Sequence, residues 1–264
     1  MRETKALILG AGKGSRMRSE LPKVLHEVAG RPMVQYAVDR AHGAGIDEVI
    51  IVVGYKKDEV MSALAAAGTT FAVQDEQRGT GHAVMAAREH LKGFDGNVIV
   101  LYGDMPLLAE ATIRALITRR DTTGAAAVAL TIELDNPPDF GRIVRDAAGR
   151  VVRIVEVKDC TPEELAIREV NVGAYCFDSV PLLGALSELS DDNAQGEYYL
   201  TDVFGTMAAT DRKTDTVVTP NLEEALGVND PVARAFAEKL ADMRYAESLC
   251  ELIDATANAA RESA

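Results

Sequence analysis

Two kinds of hydrophobic segment alternate along the first half of the chain. Short unbroken apolar runs, "KALILG" at 5–10, "EVIIVVG" at 48–54, "TTFAVQ" at 69–74 and "NVIVLYGD" at 97–104, have the length and punctuation of buried parallel strands. Between them lie segments with apolar residues at helical spacing: "PMVQYAVDRAHGAG" with Pro at its start and Gly at its end, "KDEVMSALAAAG", "GTGHAVMAAREHL", and a stretch from about Ala109 to Arg120. This alternation predicts βαβ units, right-handed crossovers and an α/β fold: a mostly parallel twisted sheet flanked by helices.

After "GAAAVALTIE" the pattern changes. "NPPDFGRIVRDAAGRVVRIVEVKD" reads as a loop and two short strands around an "AAGR" turn, and "EVNVGAYCF" as a further strand. This half is α+β in style and is expected to form a small lid over the first. From Asp230 onward the chain reads as Ala- and Glu-rich helix without an internal repeat. No Gly/Pro-rich linker interrupts it, so one unit over residues 1–229 with a helical tail over 230–264 is expected.

Composition narrows the partners. The chain has 264 residues, 47% of them hydrophobic and 26% charged, with a net charge of −13. That balance argues against nucleic acid or an anionic membrane surface as a partner. Cys160, Cys176 and Cys250 form no CxxC pair and read as reduced structural thiols. The first residues carry no signal-peptide pattern, and no apolar run reaches membrane-spanning length. A cytoplasmic location is the expectation.

Against this acidity, residues 1–23 carry six Lys/Arg and two Asp/Glu, a local balance of +4. The cations cluster around Gly10, Gly12 and Gly14 in "LILGAGKGSRMRSELPKVL". The loop is not a dinucleotide fingerprint, because GxGxxG would need glycine at Ser15, and no acidic residue closes the second strand. Nor is it a P-loop, whose Gly-Lys-Ser/Thr would stand in another register. Its glycines can nevertheless present successive amides to phosphate oxygens, and the Lys and Arg behind them can neutralise a polyphosphate.

At full length the stretch resembles the L-x-x-G-x-G-T-R-M…PK signature of the sugar-1-phosphate nucleotidylyltransferases. "QDEQRGTGHAV" at 74–84, "LYGDMPLL" at 101–108, "FGRIVR" at 140–145, "VEVKD" at 155–159, "EVNVGAYCF" at 169–177, "NAQGEYYLTD" at 193–202 and "GVND" at 227–230 follow in the family's order. Together they are similar to the uridylyltransferase (pyrophosphorylase) domain of the bacterial bifunctional N-acetylglucosamine-1-phosphate uridylyltransferase/glucosamine-1-phosphate acetyltransferase family. The resemblance implies a Rossmann-like nucleotidyltransferase fold with a sugar-binding lid. It also implies the reaction of UTP with N-acetylglucosamine 1-phosphate to give UDP-N-acetylglucosamine and pyrophosphate, with Mg2+ as cofactor, a step toward cell-wall precursors.

The chemistry agrees with the residues. A sugar phosphate with a second pKa of about 6 is already a nucleophile at neutral pH and needs no general base. Bringing it against a triphosphate needs positioning and charge neutralisation, hence glycines, cations and a metal. By the resemblance, Arg16 holds the leaving phosphates and Lys23 the α-phosphate, with Pro22 fixing the turn. Leu9, Gly10, Ala11, Gly12, Gln74, Gly79 and Thr80 line the nucleotide, and the carboxamide of Gln74 suits the uracil edge. Tyr102, Gly103, Gly141, Glu156 and Asn171 belong to the sugar site, and Lys158 could reach the sugar phosphate. Asp104 and Asn229 are the implied magnesium ligands. Both have competing readings as helix caps, and Lys23 one as a surface lysine. His82 carries no chemical role, and "NAQGEYYLTD" reads as mainly structural.

Ser15 replaces the family's common threonine, and Val157 stands where a polar residue is usual. The hexapeptide period of the family's second half does not appear, so no hexapeptide-repeat acetyltransferase domain is expected here. That leaves a stand-alone enzyme or a piece of a longer chain, and a monomer or weak dimer. The rival readings are a nucleotidylyltransferase for another base or hexose phosphate, and a non-catalytic nucleotide-sugar sensor.

Overall fold

In the computed structural model, which describes residues 2–65 and 67–244, the alternation is realised in chain order. Strand β1 (Thr4–Leu9) is followed by a small hairpin, β2 (Glu27–Val28) and β3 (Arg31–Pro32). Then come α1 (Met33–Gly43), β4 (Glu48–Val53), α2 (Lys57–Ala63), β5 (Thr70–Val73), α3 (Thr80–Ala86), α4 (Arg88–Leu91), β6 (Asn97–Tyr102), α5 (Glu110–Thr123) and β7 (Ala127–Glu133). The helix expected over "GTGHAVMAAREHL" is broken at Ala87 into α3 and α4. Helix α5 runs past Arg120 and ends where Gly124, at φ 65°, returns its amide to the Arg120 carbonyl at 2.9 Å.

The second half supplies β8 (Arg142–Arg145), β9 (Val151–Val155), α6 (Pro162–Leu165), β10 (Glu169–Asp178), α7 (Ser179–Leu186), α8 (Asp202–Ala209) and β11 (Thr214–Val218). The expected separate α+β piece is reduced to the β8–β9 hairpin with α6, and even this hairpin branches from the main sheet, because β8 pairs with β10 and Ile143, Val151 and Ile154 join its core. Strands β7, β10 and β11 continue the main sheet, whose order is β11-β7-β10-β6-β1-β4-β5. All neighbours are parallel except β10, which runs antiparallel between β6 and β7.

Alternation along the strands sends side chains to both faces. Ala6 and Ile8 pack with Ile51, Leu101 and the apolar sides of α1 and α5. Leu7 packs with Val52, Val100 and residues of α3, α7 and α8. The continuous apolar runs in the sequence follow from this two-sided burial. Helical residues 231–244 lie on a third, smaller cluster, where Ala237 meets Val28, Met33, Leu107 and Val228. The rest of the expected tail, with Cys250, lies outside the described residues. Cys160 and Cys176 are free thiols. Among the described residues no helix is long and apolar enough to cross a membrane.

Candidate active site

The register of the central strands places the site. Leu9 lies opposite Val52 on one side and Tyr102 on the other, so β1, β4 and β6 deliver their following loops to one edge of the sheet. Ligands of open α/β sheets gather at such carboxyl ends. Here they border a cavity of about 610 Å³.

Leu9, Gly10, Ala11 and Gly12 line it. Gly10 donates to the Val52 carbonyl at 2.9 Å, and the Ala11 carbonyl accepts from Tyr55 at 3.0 Å, so the start of the loop is pinned. Beyond it, the amides of Ala11, Gly12, Lys13 and Gly14 donate to no acceptor among the described residues. A run of unspent donors is what an anion-binding loop requires. Gly14 has a second task. It sits at φ 68°, and a Cβ there would lie 2.6 Å from Cβ of Lys23, so its bareness lets the loop fold against the lysine.

Lys23 is the hub. Its Nζ donates to Oδ2 of Asp104 and, at 2.6 Å, to Oδ1 of Asn229. The lysine and aspartate side chains are only 15% and 18% exposed, which removes the surface-lysine reading. Arg16 reaches the same Asn229 oxygen at 3.0 Å. The capping alternatives also fall. The position before α5 is Ala109 and takes no side-chain cap, while the start of the C-terminal helix is capped by Asp230, which accepts from Val232 and Ala233 at 2.9 Å each. Asp104 and Asn229 are instead joined through the backbone, where the Val228 amide donates to the Asp104 carbonyl at 2.9 Å. Two oxygen ligands therefore converge on one cationic group, here an ammonium. A carboxylate and a carboxamide suit magnesium, which takes few protein oxygens and fills its shell with water and phosphate oxygens. Among the described residues no cluster of three His, Cys, Asp or Glu could cage a metal, so a metal here would complete its shell with water or substrate oxygens.

Gln74, only 3% exposed, lines the cavity with Gly79 and Thr80. The carboxamide donates to the Gly79 carbonyl at 3.2 Å and meets His82 Nδ1 at 3.1 Å. The glycines of "GTG" permit a close backbone approach: a Cβ at Gly79 or Gly81 would lie 2.6 or 2.9 Å from the Tyr198 carbonyl oxygen.

The wall also includes Tyr102, Gly141, Glu156 and Asn171. The pairing of β10 with β7 shifts between Asn171 and Tyr175, a bulge around Gly173 at φ 102°. A Cβ on Gly173 would lie 2.5 Å from the Tyr102 ring. The bulge re-aims Asn171, whose Nδ2 donates to the Tyr175 hydroxyl at 2.8 Å. Burial pushes the Tyr102 hydroxyl up to about 12, so it remains a neutral hydrogen-bonding group. Burial also raises Glu156 above its ordinary value, partly offset by the Thr201 hydroxyl, which donates to it at 2.9 Å.

Three expected residues do not line the cavity. Gly103 is buried behind it, donating to the Leu9 carbonyl at 3.0 Å, and Arg16 stands at the rim. Lys158 bonds Gln195 at 2.8 Å and is not part of the wall. Conversely, Gln195, Glu197 and Tyr199 do line it, from the segment read as mainly structural. Gln195 lies in a turn before Gly196 at φ 65°, and no strand runs through 195–199, so no local periodicity marks them. Gln77, Asp139 and Phe140 were also missed.

Residues 6–197 match the family of MobA-like NTP transferase domains. Proteins named "Bifunctional protein GlmU" are similar over most of the chain. That from Lactobacillus gasseri is 46% identical over 91% of this chain and 52% of its own length. That from Halalkalibacterium halodurans is 48% identical over 92% and 53%, and that from Trichlorobacter lovleyi 48% over 90% and 52%. The chain thus spans about half the length of the curated relatives it matches. Among solved structures, a putative glucose-1-phosphate thymidylyltransferase from Bacillus anthracis, in complex with a sucrose, superposes with a TM-score of 0.72 at 24% identity, covering 90% of this chain and 95% of its own. A UDP-glucose pyrophosphorylase complexed with UDP-glucose gives 0.72 at 18%, covering 91% and 99%. At these identities the likeness is one of fold.

Proposed function

The chain belongs to the family of MobA-like NTP transferase domains, and from that premise we propose that it transfers UMP from UTP to N-acetylglucosamine 1-phosphate, giving UDP-N-acetylglucosamine and pyrophosphate. Residues 1–229 are the catalytic unit of this reading. The observation that carries it is the convergence of Lys23, Asp104 and Asn229 beside a loop whose amides are unspent. The choice of base and sugar is supported by the ordered motifs described above and by the "GlmU" relatives.

The sugar phosphate oxygen attacks the α-phosphorus, a new P–O bond forms, and the bond to the β-phosphate oxygen breaks with its electron pair leaving on pyrophosphate. The amides from Ala11 to Gly14 bind the phosphates, Lys23 neutralises charge at the α-phosphate, and Arg16 at the rim holds the departing end. Asp104 and Asn229 hold Mg2+, which supplies further neutralisation of phosphate oxygens when bound. Gln74, Gly79 and Thr80 orient the base. Glu156 and Asn171 bind sugar hydroxyls or the acetamido group, with Tyr102 and Gly141 closing the pocket around the ring. Lys23 and Asp104, whose loss would mark a binding-only sensor, are both in place. The test is pyrophosphate release across a panel of nucleotides and hexose 1-phosphates with Mg2+. Release is expected with UTP and N-acetylglucosamine 1-phosphate, and stronger release with another pair would reassign the substrates.

A further inference from the structure

The carboxamide of Gln74 is held in one of its two orientations, and the reason lies in residues around it. The Gly79 carbonyl, 3.2 Å away, can only accept a hydrogen bond, so the Gln74 atom facing it is the NH2. A turned-over amide would set oxygen against oxygen. The same NH2 lies 3.1 Å from Nδ1 of His82. Two donors cannot share that contact, so Nδ1 carries the lone pair and the neutral ring carries its proton on Nε2. The Gly79 carbonyl is fixed in turn. Its residue sits at φ 102°, open to glycine, and the Gly81 amide is anchored on the Tyr198 carbonyl at 2.7 Å. Both N–H bonds of Gln74 are thereby spent within the protein. Its Oε1 takes no hydrogen bond among the described residues, and the side chain lines the cavity.

We propose that His82 is a positioning residue for base selection: through its Nδ1 lone pair it locks Gln74 with the carboxamide oxygen toward the ligand. An acceptor at that point selects a base bearing an imide N–H, such as uracil or thymine, over cytosine, whose corresponding ring nitrogen is itself an acceptor. This rests on the nucleotide reading of the cavity given above. It gives a role to a histidine whose sequence context suggested none.

Two measurements on the full chain test it. The first is the 15N spectrum of the histidine-labelled protein, which needs neither substrate nor variant. His82 is expected with Nδ1 unprotonated and Nε2 protonated, and an Nδ1–H form would overturn the proposal. The second is the ratio of kcat/KM for UTP over CTP. His82→Leu, which lacks the acceptor, should lower this ratio about tenfold, mainly through KM for UTP, as expected for loss of one well-placed hydrogen bond. His82→Asn, whose Oδ1 can stand in for Nδ1, should keep it within about threefold. An unchanged ratio in His82→Leu, equal loss for both nucleotides, or failure of His82→Asn to rescue would each count against the role. If His82→Leu does not fold, the 15N spectrum decides. If wild type turns over no nucleotide at all, the functional reading fails, while the tautomer remains tested by the spectrum.

Discussion

The amide of Val228 donates to the carbonyl oxygen of Asp104 at 2.9 Å. This one bond ties the segment carrying Asn229 to the loop after β6, so that two oxygens far apart in sequence face the same ammonium of Lys23. Positive charge is needed at that point whether or not phosphates are present, because Asp104 is largely covered.

Lys23→Ala is expected to lower kcat by at least ~100-fold, in line with removal of a charge-stabilising donor. It should also change the response to metal. In wild type Mg2+ competes with the ammonium for both oxygens, so without nucleotide Mg2+ should raise the Tm of Lys23→Ala more than that of wild type. Equal Tm shifts would mean that lysine and metal do not share ligands.

Asp104→Asn keeps the shape and removes the charge. The rate should fall, and the Mg2+ concentration giving half-maximal rate should rise about tenfold, the scale of one charge-assisted contact. A metal titration superimposable on wild type would dismiss Asp104 as a ligand.

Glu224 is fully buried and accepts from the Ala109 amide at 3.0 Å and from the hydroxyls of Thr112 and Thr219 at 2.6 and 2.5 Å. It thus joins the start of α5 to the segment leading to Asn229, with its negative charge near the positive end of the helix. Glu224→Ala strands these donors and should cost about 3 kcal/mol in denaturant unfolding. It should also raise the metal requirement, because Asn229 loses its support. A loss below about 1 kcal/mol would show that the network is dispensable.

Burial raises the Glu156 carboxyl above its ordinary value. A raised carboxyl is favoured by the fold in its protonated form. The associated stability is therefore present at low pH and lost as pH rises through the interval between the ordinary and the raised value. Glu156→Gln, which can still accept from Thr201, should raise Tm at neutral pH on the order of 2 °C. The gain should vanish below about pH 4, where both proteins are uncharged at this site. The same variant should weaken sugar phosphate binding, a trade expected of a buried functional carboxylate. A gain that is constant with pH would point to packing instead of charge.

The strands β1, β4, β5 and β6 and the helices α1 and α5 were written in the periodicity itself, because two-sided burial leaves an apolar run and a helix packed on a sheet leaves a 3.6-residue pattern. The residues with distinctive chemistry, Gly12, Lys23 and Asp104, could be singled out from one glycine-rich loop and one strand end. Tertiary structure decided the rest. The sequence of β10 has the same apolar character whichever way the strand runs, so only pairing shows that it enters antiparallel between β6 and β7. Gly14 looks like a phosphate glycine in the sequence, and its bareness also serves the packing of Lys23. Glu224, Gln195, Glu197 and Tyr199 come to the site or its support from segments without a strong local pattern. The lone pair of His82 is fixed only because the Gly79 carbonyl stands next to Gln74. Periodicity reports which side of an element is buried, a local property. Strand direction, close backbone approach and hydrogen-bond polarity depend on which distant segments meet, and that is settled only when the whole sheet is assembled.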